Sequence, residues 1–392
     1  MAAGVAAGCG RQVTVLERNA KVGRKLRIAG KGRCNITNDT DVDGLQAAIP
    51  GNPKFLLTAF YHFGPQDVIA FFNQLGLPTK TERGGRVFPI SDDANDVVQA
   101  LIKFCRQAGV RFQHNTSVQR VFASEGRAAG VITETGAKIC ADAVILATGG
   151  ASYPGTGSTG DGYRIARELG HAITPIRPAL APLETEESWP AEAQGLSLRN
   201  VSLTAWTPEG KERYQALGEM LFTHFGVSGP LVLSASRHVA RGSRLAIDLK
   251  PGLTPEQLDD RVLREFEKYN RREFGNALGD LLPRALIPII VRLSRIGHDT
   301  PVHQLTRAQR LAFEHLLKNL TLTVKGPRSF AEAIITAGGV SVKEIDPRTM
   351  ASKLLPGLHF AGEVIDVDGY TGGYNLQIAW STGHLAGMHA GQ

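Results

Sequence analysis

With 392 residues, the chain is long enough for two or three domains that bury sizeable hydrophobic cores. Its 42% hydrophobic and 21% charged residues are typical of a globular protein, and no uncharged apolar run is long enough to span a bilayer. The net charge of +7 fits nucleic acid, a membrane surface or an anionic ligand. Because the cations are dispersed and no basic run contains interleaved aromatic residues, an ordinary basic surface is favoured over a nucleic-acid partner.

The four cysteines are widely spaced and form no CxxC pair. This spacing argues against a zinc knuckle and a redox-active disulfide, so no metal site is predicted. A reduced protein in the cytoplasm is the default expectation. The first ten residues lack the basic segment of a signal peptide and are interpreted as part of a helix.

The first predicted elements are the second half of a dinucleotide-binding βαβ unit. Residues 1–10 are rich in alanine at helical spacing, and residues 12–17 form an apolar run that ends in Glu17. A carboxylate at the end of the second strand can accept hydrogen bonds from both hydroxyls of an adenosine ribose. An ordinary surface glutamate at a strand end is the alternative.

A segment rich in glycine and cations follows, and it is predicted to be a loop with one short helix. Lys25 and Arg33 can neutralise a diphosphate, and Asn35 can reach polar atoms of a flavin ring or its ribityl chain. Arg18 and Cys34 belong to the same predicted cofactor site. A basic surface loop is the alternative, although three glycines, five cations and an embedded Cys-Asn pair in residues 23–38 fit it poorly.

The next elements are two stretches with helical apolar spacing, residues 53–76 and 93–108. A turn and a short extended piece lie between them and carry Arg86, which either binds an anionic substrate or braces the turn. Residues 110–139 alternate between turn signals, which predicts a small antiparallel meander.

A buried strand is predicted at residues 141–147, and it opens directly into glycines. In a parallel sheet, ligands bind at the carboxyl edge of the strands. Ala147, Thr148 and Gly149 are therefore predicted to place backbone beside a ligand. A tight turn from strand to helix is the alternative.

The chain changes character near residue 175, where short alternating segments predict a mostly β insert, followed by helices over residues 254–320. Thr223, His224 and Ser228 form a polar cluster in this insert. His224 could deliver or take a proton beside a flavin, or it could be a buried, hydrogen-bonded histidine at a domain joint.

The C-terminal part carries a further predicted site. Glu363 follows a strand and can hold ribityl hydroxyls, and Gly373 precedes a final helix whose free N–H groups can stabilise negative charge on a reduced flavin. Asp366 and Asp368, taken alone, fit solvated loop acids. The cofactor contacts predicted here are Gly362, Glu363, Gly373, Asn375, Leu376 and Gln377.

Together these segments resemble the flavoproteins with the HI-type insert, a group that includes BaiN-like bile-acid reductases and proteins labelled aminoacetone oxidases. The matching motifs occur in the expected order along the whole chain. They are Gly23-Arg-Lys25, Gly32-Arg-Cys-Asn-Ile-Thr-Asn38, Gly85-Arg-Val-Phe-Pro89, Ala147-Thr-Gly-Gly150, Thr223-His-Phe-Gly-Val-Ser-Gly-Pro230, Thr336-Ala-Gly-Gly-Val340 and Gly362-Glu-Val-Ile-Asp-Val-Asp-Gly369 through Gln377.

The resemblance implies an α/β fold: a Rossmann-like FAD-binding domain with an inserted domain that is partly β-barrel-like and partly helical. The implied boundaries are 1–179 and 338–392 for the FAD domain, 180–253 and 321–337 for the β-rich insert, and 254–320 for the helical part. It also implies a backbone contact from Val118 to adenine, and either NAD(P)H-linked reduction or oxidation of small substrates. No common substrate is implied.

The family pattern begins with a strand and a GxGxxG loop, and this chain lacks both. The ribose acid normally follows that loop by about 20 residues, so counting back from Glu17 places the loop before Met1. We therefore expect a vacant central position in the sheet and poor flavin affinity. We also expect the natural polypeptide to begin about 20 residues upstream, by the same spacing.

Three functions remain open at this point. The first is an FAD-dependent oxidoreductase acting on a small molecule, with NAD(P)H visiting the open flavin face and with His224 and Arg86 as catalytic candidates. The second is a truncated, non-catalytic remnant or binding protein. The third, motivated by the basic charge, is a flavoprotein that modifies RNA. Oligomeric state is not predicted.

Overall fold

The structure, a computed structural model, describes all residues from Met1 to Gln392. Contacts within the chain define two units. The first consists of Met1–Pro178 and Phe330–Gln392, and the second consists of Ala179–Ser329. Each unit has a hydrophobic core of its own.

Thirteen α-helices and eighteen strands make up the two units. The helices are α1 (Ala2–Gly8), α2 (Arg24–Ile28), α3 (Val42–Ala47), α4 (Leu57–His62), α5 (Pro65–Gln74), α6 (Ala94–Gln107), α7 (Asp161–Glu168), α8 (Pro230–Ala235), α9 (Pro255–Lys268), α10 (Phe274–Ala277), α11 (Ile287–Ser294), α12 (Arg307–Lys318) and α13 (Tyr374–His389). The strands are β1 (Thr14–Leu16), β2 (Thr37–Asn38), β3 (Thr79–Glu82), β4 (Arg86–Pro89), β5 (Arg111–Gln113), β6 (Val118–Ser124), β7 (Arg127–Thr133), β8 (Lys138–Cys140), β9 (Val144–Leu146), β10 (Ile173–Ala179), β11 (Leu183–Thr185), β12 (Ser197–Trp206), β13 (Glu212–Thr223), β14 (Gly226–Ser228), β15 (Arg244–Asp248), β16 (Leu320–Pro327), β17 (Ile335–Val340) and β18 (Leu358–Phe360).

The first unit is a Rossmann-type α/β domain built around two parallel strand pairs. In one pair β1 lies beside β5, with Thr14 opposite Arg111. In the other β18 lies beside β9, with Leu358 opposite Val144. The two pairs are separate two-stranded sheets. The segments that follow the carboxyl ends of both pairs carry most of the predicted site residues.

Two sequence predictions in this unit need correction. The meander expected over residues 110–139 is smaller than predicted, since only β6, β7 and β8 form it. The strand β5 instead pairs with β1. The pairing is parallel because a long crossover connection, of which α6 is the last helix, joins the two strands. The helical stretch at residues 53–76 is also divided, because Pro65 cannot continue α4 and begins α5.

The second unit is a closed six-stranded barrel with accompanying helices, which confirms the prediction of an insert that is partly barrel-like and partly helical. The strand order around the barrel is β11-β14-β13-β12-β15-β16. Side chains of β12 alternate, so that Leu203 and Ala205 enter the core of the unit. The helices α9 and α12 begin with capping boxes at Thr254 and Thr306, which satisfy their first N–H groups.

None of the helices has the length and apolar character needed to cross a membrane.

A buried carboxyl group in the second unit predicts a pH-dependent stability. Burial and the neighbouring Asp259 raise the pKa of Glu314 to about 7, and the nearby Arg310 opposes this shift only in part. The folded protein therefore favours the neutral acid, whereas the unfolded chain ionises it near about 4.3. The contribution of Glu314 to the free energy of unfolding is therefore complete below the pKa of the unfolded chain. This contribution is lost as the pH rises through the folded pKa of about 7.

We expect Glu314→Gln to reduce the fall in the thermal midpoint of the full chain between pH 5 and pH 8, since the amide stays neutral throughout. The matched control is Glu267→Gln on the exposed face of α9, which changes the same charge. Equal pH profiles for the Glu314 variant and the unmodified chain would contradict this assignment.

Candidate functional site

The carboxyl ends of β9 and β18 form one edge of the first unit. The segment after β9 runs through Ala147 and Thr148, both exposed, to the predicted glycines. The segment after β18 leads through Gly362 to Glu363. Because the two strands are parallel neighbours, both segments leave the sheet on the same side. This edge is where the sequence predicted the centre of the site.

The Glu363 carboxylate holds this edge together. Its Oε2 accepts a hydrogen bond of 2.7 Å from Lys25 Nζ on α2. Its Oε1 accepts the backbone N–H of Thr336 at 2.8 Å and lies 3.1 Å from the Ser152 hydroxyl. Lys25 also donates to Ser152 Oγ at 2.7 Å. The structure thus joins two predicted residues, Lys25 and Glu363, in one partly buried ion pair.

The turn after β9 needs glycine to approach this carboxylate. A Cβ on Gly150 would lie 2.8 Å from Glu363 Oε1 and 2.6 Å from Thr336 Oγ1. The Thr336 hydroxyl in turn accepts the backbone N–H groups of Ala151 and Ser152. Any larger residue at position 150 therefore displaces the Glu363 cluster.

A second part of the site lies at the end of β1. Glu17 Oε1 accepts hydrogen bonds from the backbone and side-chain N–H groups of Asn19, at 2.8 and 2.7 Å. No partner contacts Glu17 Oε2. A glycine-rich loop at residues 155–162 closes over Asn19. The Asn19 side chain donates to Thr156 O, and a Cβ on Gly157 would lie 2.6 Å from Asn19 Nδ2. This leaves one carboxylate oxygen able to accept a ribose hydroxyl.

Two other predicted contacts flank Glu17. Arg18 forms a 2.8 Å ion pair with Asp161 and donates to Thr159, so its guanidinium is tied to the glycine-rich loop. Val118 begins β6, where it is half-buried opposite Thr133. The Nη1 group of Arg18 is therefore already used within the protein, and Val118 has no polar side-chain atom to offer.

Cys34 and Asn35 lie in a constrained stretch of backbone. Cys34 is fully buried and has a φ of 58°, in the left-handed region. Burial raises the pKa of its thiol to about 12, so it stays neutral. The Asn35 side-chain oxygen Oδ1 is buried without a hydrogen-bond partner. A buried acceptor without a donor costs about 1–3 kcal/mol, which a bound ligand can recover.

The N-terminus of α13 contributes backbone donors. The first hydrogen bond within the helix joins the Gln377 N–H to Gly373 O, so the N–H groups of Tyr374, Asn375 and Leu376 have no acceptor in the helix. Gly373 has a φ of 101°, and a Cβ there would lie 2.3 Å from Thr37 O. Together with the helix dipole, these donors favour negative charge at this end of the helix.

Two side chains of α13 hold the helix in place through hydrogen bonds within the protein and add no free donor to its N-terminus. Asn375 accepts the Gly369 N–H and donates back to Gly369 O and Tyr370 O. Gln377 is fully buried, where it donates to Phe63 O and accepts from the Thr37 hydroxyl. These two predicted residues therefore fix the position of the helix N-terminus.

Arg33 and Arg86 lie in a separate charged cluster. Arg33 pairs with Glu82 and Asp92, and its guanidinium lies 4.1 Å from the centre of the Phe88 ring. The hydrogen bond from Arg33 lowers the pKa of Glu82. Arg86 is half-exposed, lies 4.0 Å from Glu82 and donates to Arg83 O. The structure thus does not place Arg33 with Lys25.

His224 belongs to the second unit, in the turn between β13 and β14. Its ring is exposed and packs edge-on against Phe225 at a centroid distance of 5.0 Å. The alternative of a buried histidine is therefore wrong, because the two-residue hairpin turn projects this side chain outward. The neighbouring Thr223 hydroxyl is buried without a partner.

Sequence reasoning missed four residues that order the site: Asn19, Ser152, Tyr163 and Thr336. Tyr163 donates to the backbone oxygen of Glu363, and burial raises the pKa of its hydroxyl, with Glu363 adding to the effect. Thr336 and Ser152 both lie inside motifs or beside glycines that were noticed. The sequence signal that could have identified them was a polar residue next to those glycines.

The chain matches the family described as HI0933-like protein Rossmann domain over residues 1–389. It is 34% identical to a 3-dehydro-bile acid delta(4,6)-reductase of Clostridium scindens, over 97% of this chain and 93% of that protein. It is 31% identical to a ribosomal RNA dihydrouridine synthase of Escherichia coli, over 96% and 92% of the two chains. The chain therefore belongs to the HI0933-like family.

A solved structure gives the same fold at low sequence identity. The 3-ketosteroid delta1-dehydrogenase from Sterolibacterium denitrificans, in complex with 1,4-androstadiene-3,17-dione, superposes with a TM-score of 0.51 at 13% identity. The match covers 98% of this chain and 96% of that one. It shows a similar fold along almost the whole chain.

Proposed function

We propose that the first unit binds FAD and that the protein is a flavin-dependent reductase. The observation that carries the cofactor is the set of unpaired polar groups in the site: Glu17 Oε2, Asn35 Oδ1 and the first N–H groups of α13. These fit, in turn, a ribose, the polar atoms of the flavin or its ribityl chain, and the electron-rich pyrimidine side of the ring.

The remaining predicted contacts complete the proposed cofactor site. Glu363 can accept hydrogen bonds from ribityl hydroxyls, and the ion pair with Lys25 stabilises its carboxylate in the charged form. The glycines after β9 allow the backbone to approach the cofactor. The proposed set is Glu17, Arg18, Lys25, Arg33, Cys34, Asn35, Val118, Ala147, Thr148, Gly149, Gly362, Glu363, Gly373, Asn375, Leu376 and Gln377. Of these, Arg33 has the weakest support, since two carboxylates already neutralise it.

The names of the two relatives indicate one kind of reaction. A 3-oxo steroid with double bonds at positions 4 and 6, and the uracil ring of uridine, each contain a C=C bond conjugated to a carbonyl group. FAD, when bound and reduced, supplies the hydride for such a bond. We propose that this chain reduces a conjugated C=C bond, with NADH or NADPH as the source of electrons.

The protein must also supply a proton to the second carbon and stabilise the enolate-like charge on the carbonyl. His224 has an exposed imidazole that can donate a proton, and Arg86 has a half-exposed guanidinium that can bind an anionic group. We propose them as the catalytic candidates. A cytoplasmic location is proposed as well, because all four cysteines are free thiols.

The substrate class has two candidates. A small unsaturated ketone is favoured by the bile-acid reductase, with which the chain shares 34% identity. A uracil base in RNA is the second candidate, because the chain has a net charge of +7 and is also similar to an RNA dihydrouridine synthase.

The test is anaerobic. The protein is reconstituted with FAD, mixed with NADH or NADPH, and followed by visible flavin absorbance. We expect bleaching by at least one donor, followed by recovery of the absorbance when a 3-oxo-4-ene steroid or a uridine oligonucleotide is added. The matched control substrates are the saturated ketone and the dihydrouridine oligonucleotide. Protein that stays colourless after incubation with FAD would refute the proposal.

A further inference from the structure

An open cleft of about 330 Å³ lies between α6 and the segment that follows Glu17. Its polar lining is cationic or neutral, and no carboxylate contributes to it. The polar lining residues are Lys21, Arg27, Asn95, Gln99, Arg106 and His114. A cleft with this lining fits an anion that carries several oxygen acceptors.

The cations of this region are in excess and are not all used within the protein. Residues 18–33 contain seven cations and no acid. Arg18, Lys25 and Arg33 pair with carboxylates, as described above. The other four form no ion pair, although Arg24 donates a hydrogen bond to Asn19 Oδ1, and Arg106 in the last turn of α6 forms none either. These four are Lys21, Arg24, Arg27 and Lys31.

Two features order the cleft for an extended ligand. Asn95, Gln99 and Arg106 recur at the spacing of one face of α6, so two amides and a guanidinium point the same way. Arg27 donates from NH1 to Val22 O at 2.9 Å, which fixes the guanidinium and leaves its other N–H groups without a carboxylate. Donors in a line suit successive phosphates better than a single one.

An aromatic surface adjoins these donors. The His114 ring is exposed and stacks on Phe112, with an interplanar angle of 8° and a centroid distance of 6.1 Å. Exposed aromatic or imidazole faces beside cations are the means by which proteins hold unpaired bases. A mobile dinucleotide would not need a further cation beyond the cleft without an ion pair, such as Lys31.

We propose that this cleft binds the phosphodiester backbone of single-stranded RNA, with a base on the His114 face. The inference rests on the second substrate candidate above, because it supplies the RNA-binding surface that reduction of a uracil base requires. Lys21 and Arg27 serve the cleft, whereas Lys25 on the same short segment holds Glu363 in the cofactor site. The segment therefore connects the RNA surface to the redox site.

The test measures RNA binding directly and needs no turnover. The affinity of FAD-reconstituted protein for a labelled, uridine-containing single-stranded RNA is determined by fluorescence anisotropy at several KCl concentrations. The test variant is Lys21→Gln/Arg27→Gln/Arg106→Gln. Three lost phosphate contacts should reduce the slope of log affinity against log salt by about 2, at about 0.7 per contact, and weaken binding at least about tenfold in 0.1 M salt.

The control variant is Arg164→Gln/Lys268→Gln/Arg292→Gln. It removes the same charge from exposed cations that already pair with carboxylates. We expect it to bind RNA within about twofold of the parent, because long-range charge is screened at this salt concentration. Equal losses in both triple variants would overturn the proposal, since they would show a response to net charge alone.

Two further measurements keep the outcome unambiguous. The variant Lys21→Glu/Arg106→Glu retains the Arg27 bond to Val22, and a melting temperature equal to that of the parent shows that it is folded. We expect it to lose RNA binding more completely than the triple variant.

The second measurement is competition between the labelled RNA and NADH or NADPH. Competition by NADPH but not by NADH, with RNA binding unchanged in both variants, would assign the cleft to a single phosphate and overturn the RNA assignment. RNA binding without any reductase activity would refute only the proposed function.

Discussion

Replacement of Glu363 by alanine is expected to weaken FAD binding by about 10- to 100-fold. The carboxylate is the proposed acceptor for ribityl hydroxyls, so its loss removes those hydrogen bonds to the cofactor. It also leaves Lys25 Nζ and the Thr336 N–H without the acceptor that positions them at this edge. Hydrogen bonds to charged groups contribute about 1.5–3 kcal/mol each, and 1.4 kcal/mol is tenfold in affinity. The measurement is a titration of apoprotein with FAD, followed by flavin fluorescence.

Two variants separate the charge from the fold. Glu363→Gln keeps an acceptor for Thr336 but not the charge opposite Lys25, so its affinity should lie between those of Glu363→Ala and the parent. Glu168→Ala removes an exposed carboxylate that pairs with Arg164, and it should leave FAD binding within twofold, because such surface pairs contribute about 0.3–0.5 kcal/mol. If Glu363→Ala binds FAD as tightly as Glu168→Ala, the carboxylate has no part in the cofactor site.

The fold could be predicted where local patterns decide it. The apolar run before Glu17 predicted β1, and Gly373 predicted a final helix, which begins one residue later at Tyr374. The strand β5 was assigned to the wrong sheet, because three residues carry too little periodicity to identify a partner. Its true partner is almost a hundred residues earlier in the chain, so no local pattern links the two strands.

The site could be predicted as a set of residue types but not as a network. The glycines, Glu17 and Glu363 were identified because neighbouring residues in the sequence are enough to explain why each could contact a cofactor. The contacts that order them join Lys25 to Glu363 and Ser152 to Thr336, and no local signal specifies such pairs. The environment of Arg33 was unforeseeable for the same reason, since its carboxylate partners lie 49 and 59 residues away.

Replacement of Gly373 by alanine is expected to damage both the stability of the first unit and its proposed cofactor site. The residue has a φ of 101°, and the added Cβ would lie 2.3 Å from Thr37 O, which is backbone and cannot rotate away. The left-handed conformation alone costs about 1–2 kcal/mol. Relief of the overlap must shift the N-terminus of α13, so we expect a lower denaturant midpoint, a loss of bound FAD and a more negative flavin reduction potential in the fraction that binds.

The control for Gly373→Ala is Gly136→Ala in the turn between β7 and β8. Gly136 has a φ of 83°, but a Cβ there meets no atom within 4 Å. The Gly136→Ala variant therefore has the unfavourable left-handed backbone conformation but no steric overlap. It should lower the free energy of unfolding by about 1–2 kcal/mol and leave FAD binding unchanged. Since Thr37 also donates to the buried Gln377, the shift in Gly373→Ala should spread into the helix itself. Equal losses of stability in the two variants, with FAD retained in both, would show that the close approach of Gly373 to Thr37 does not position the helix N-terminus.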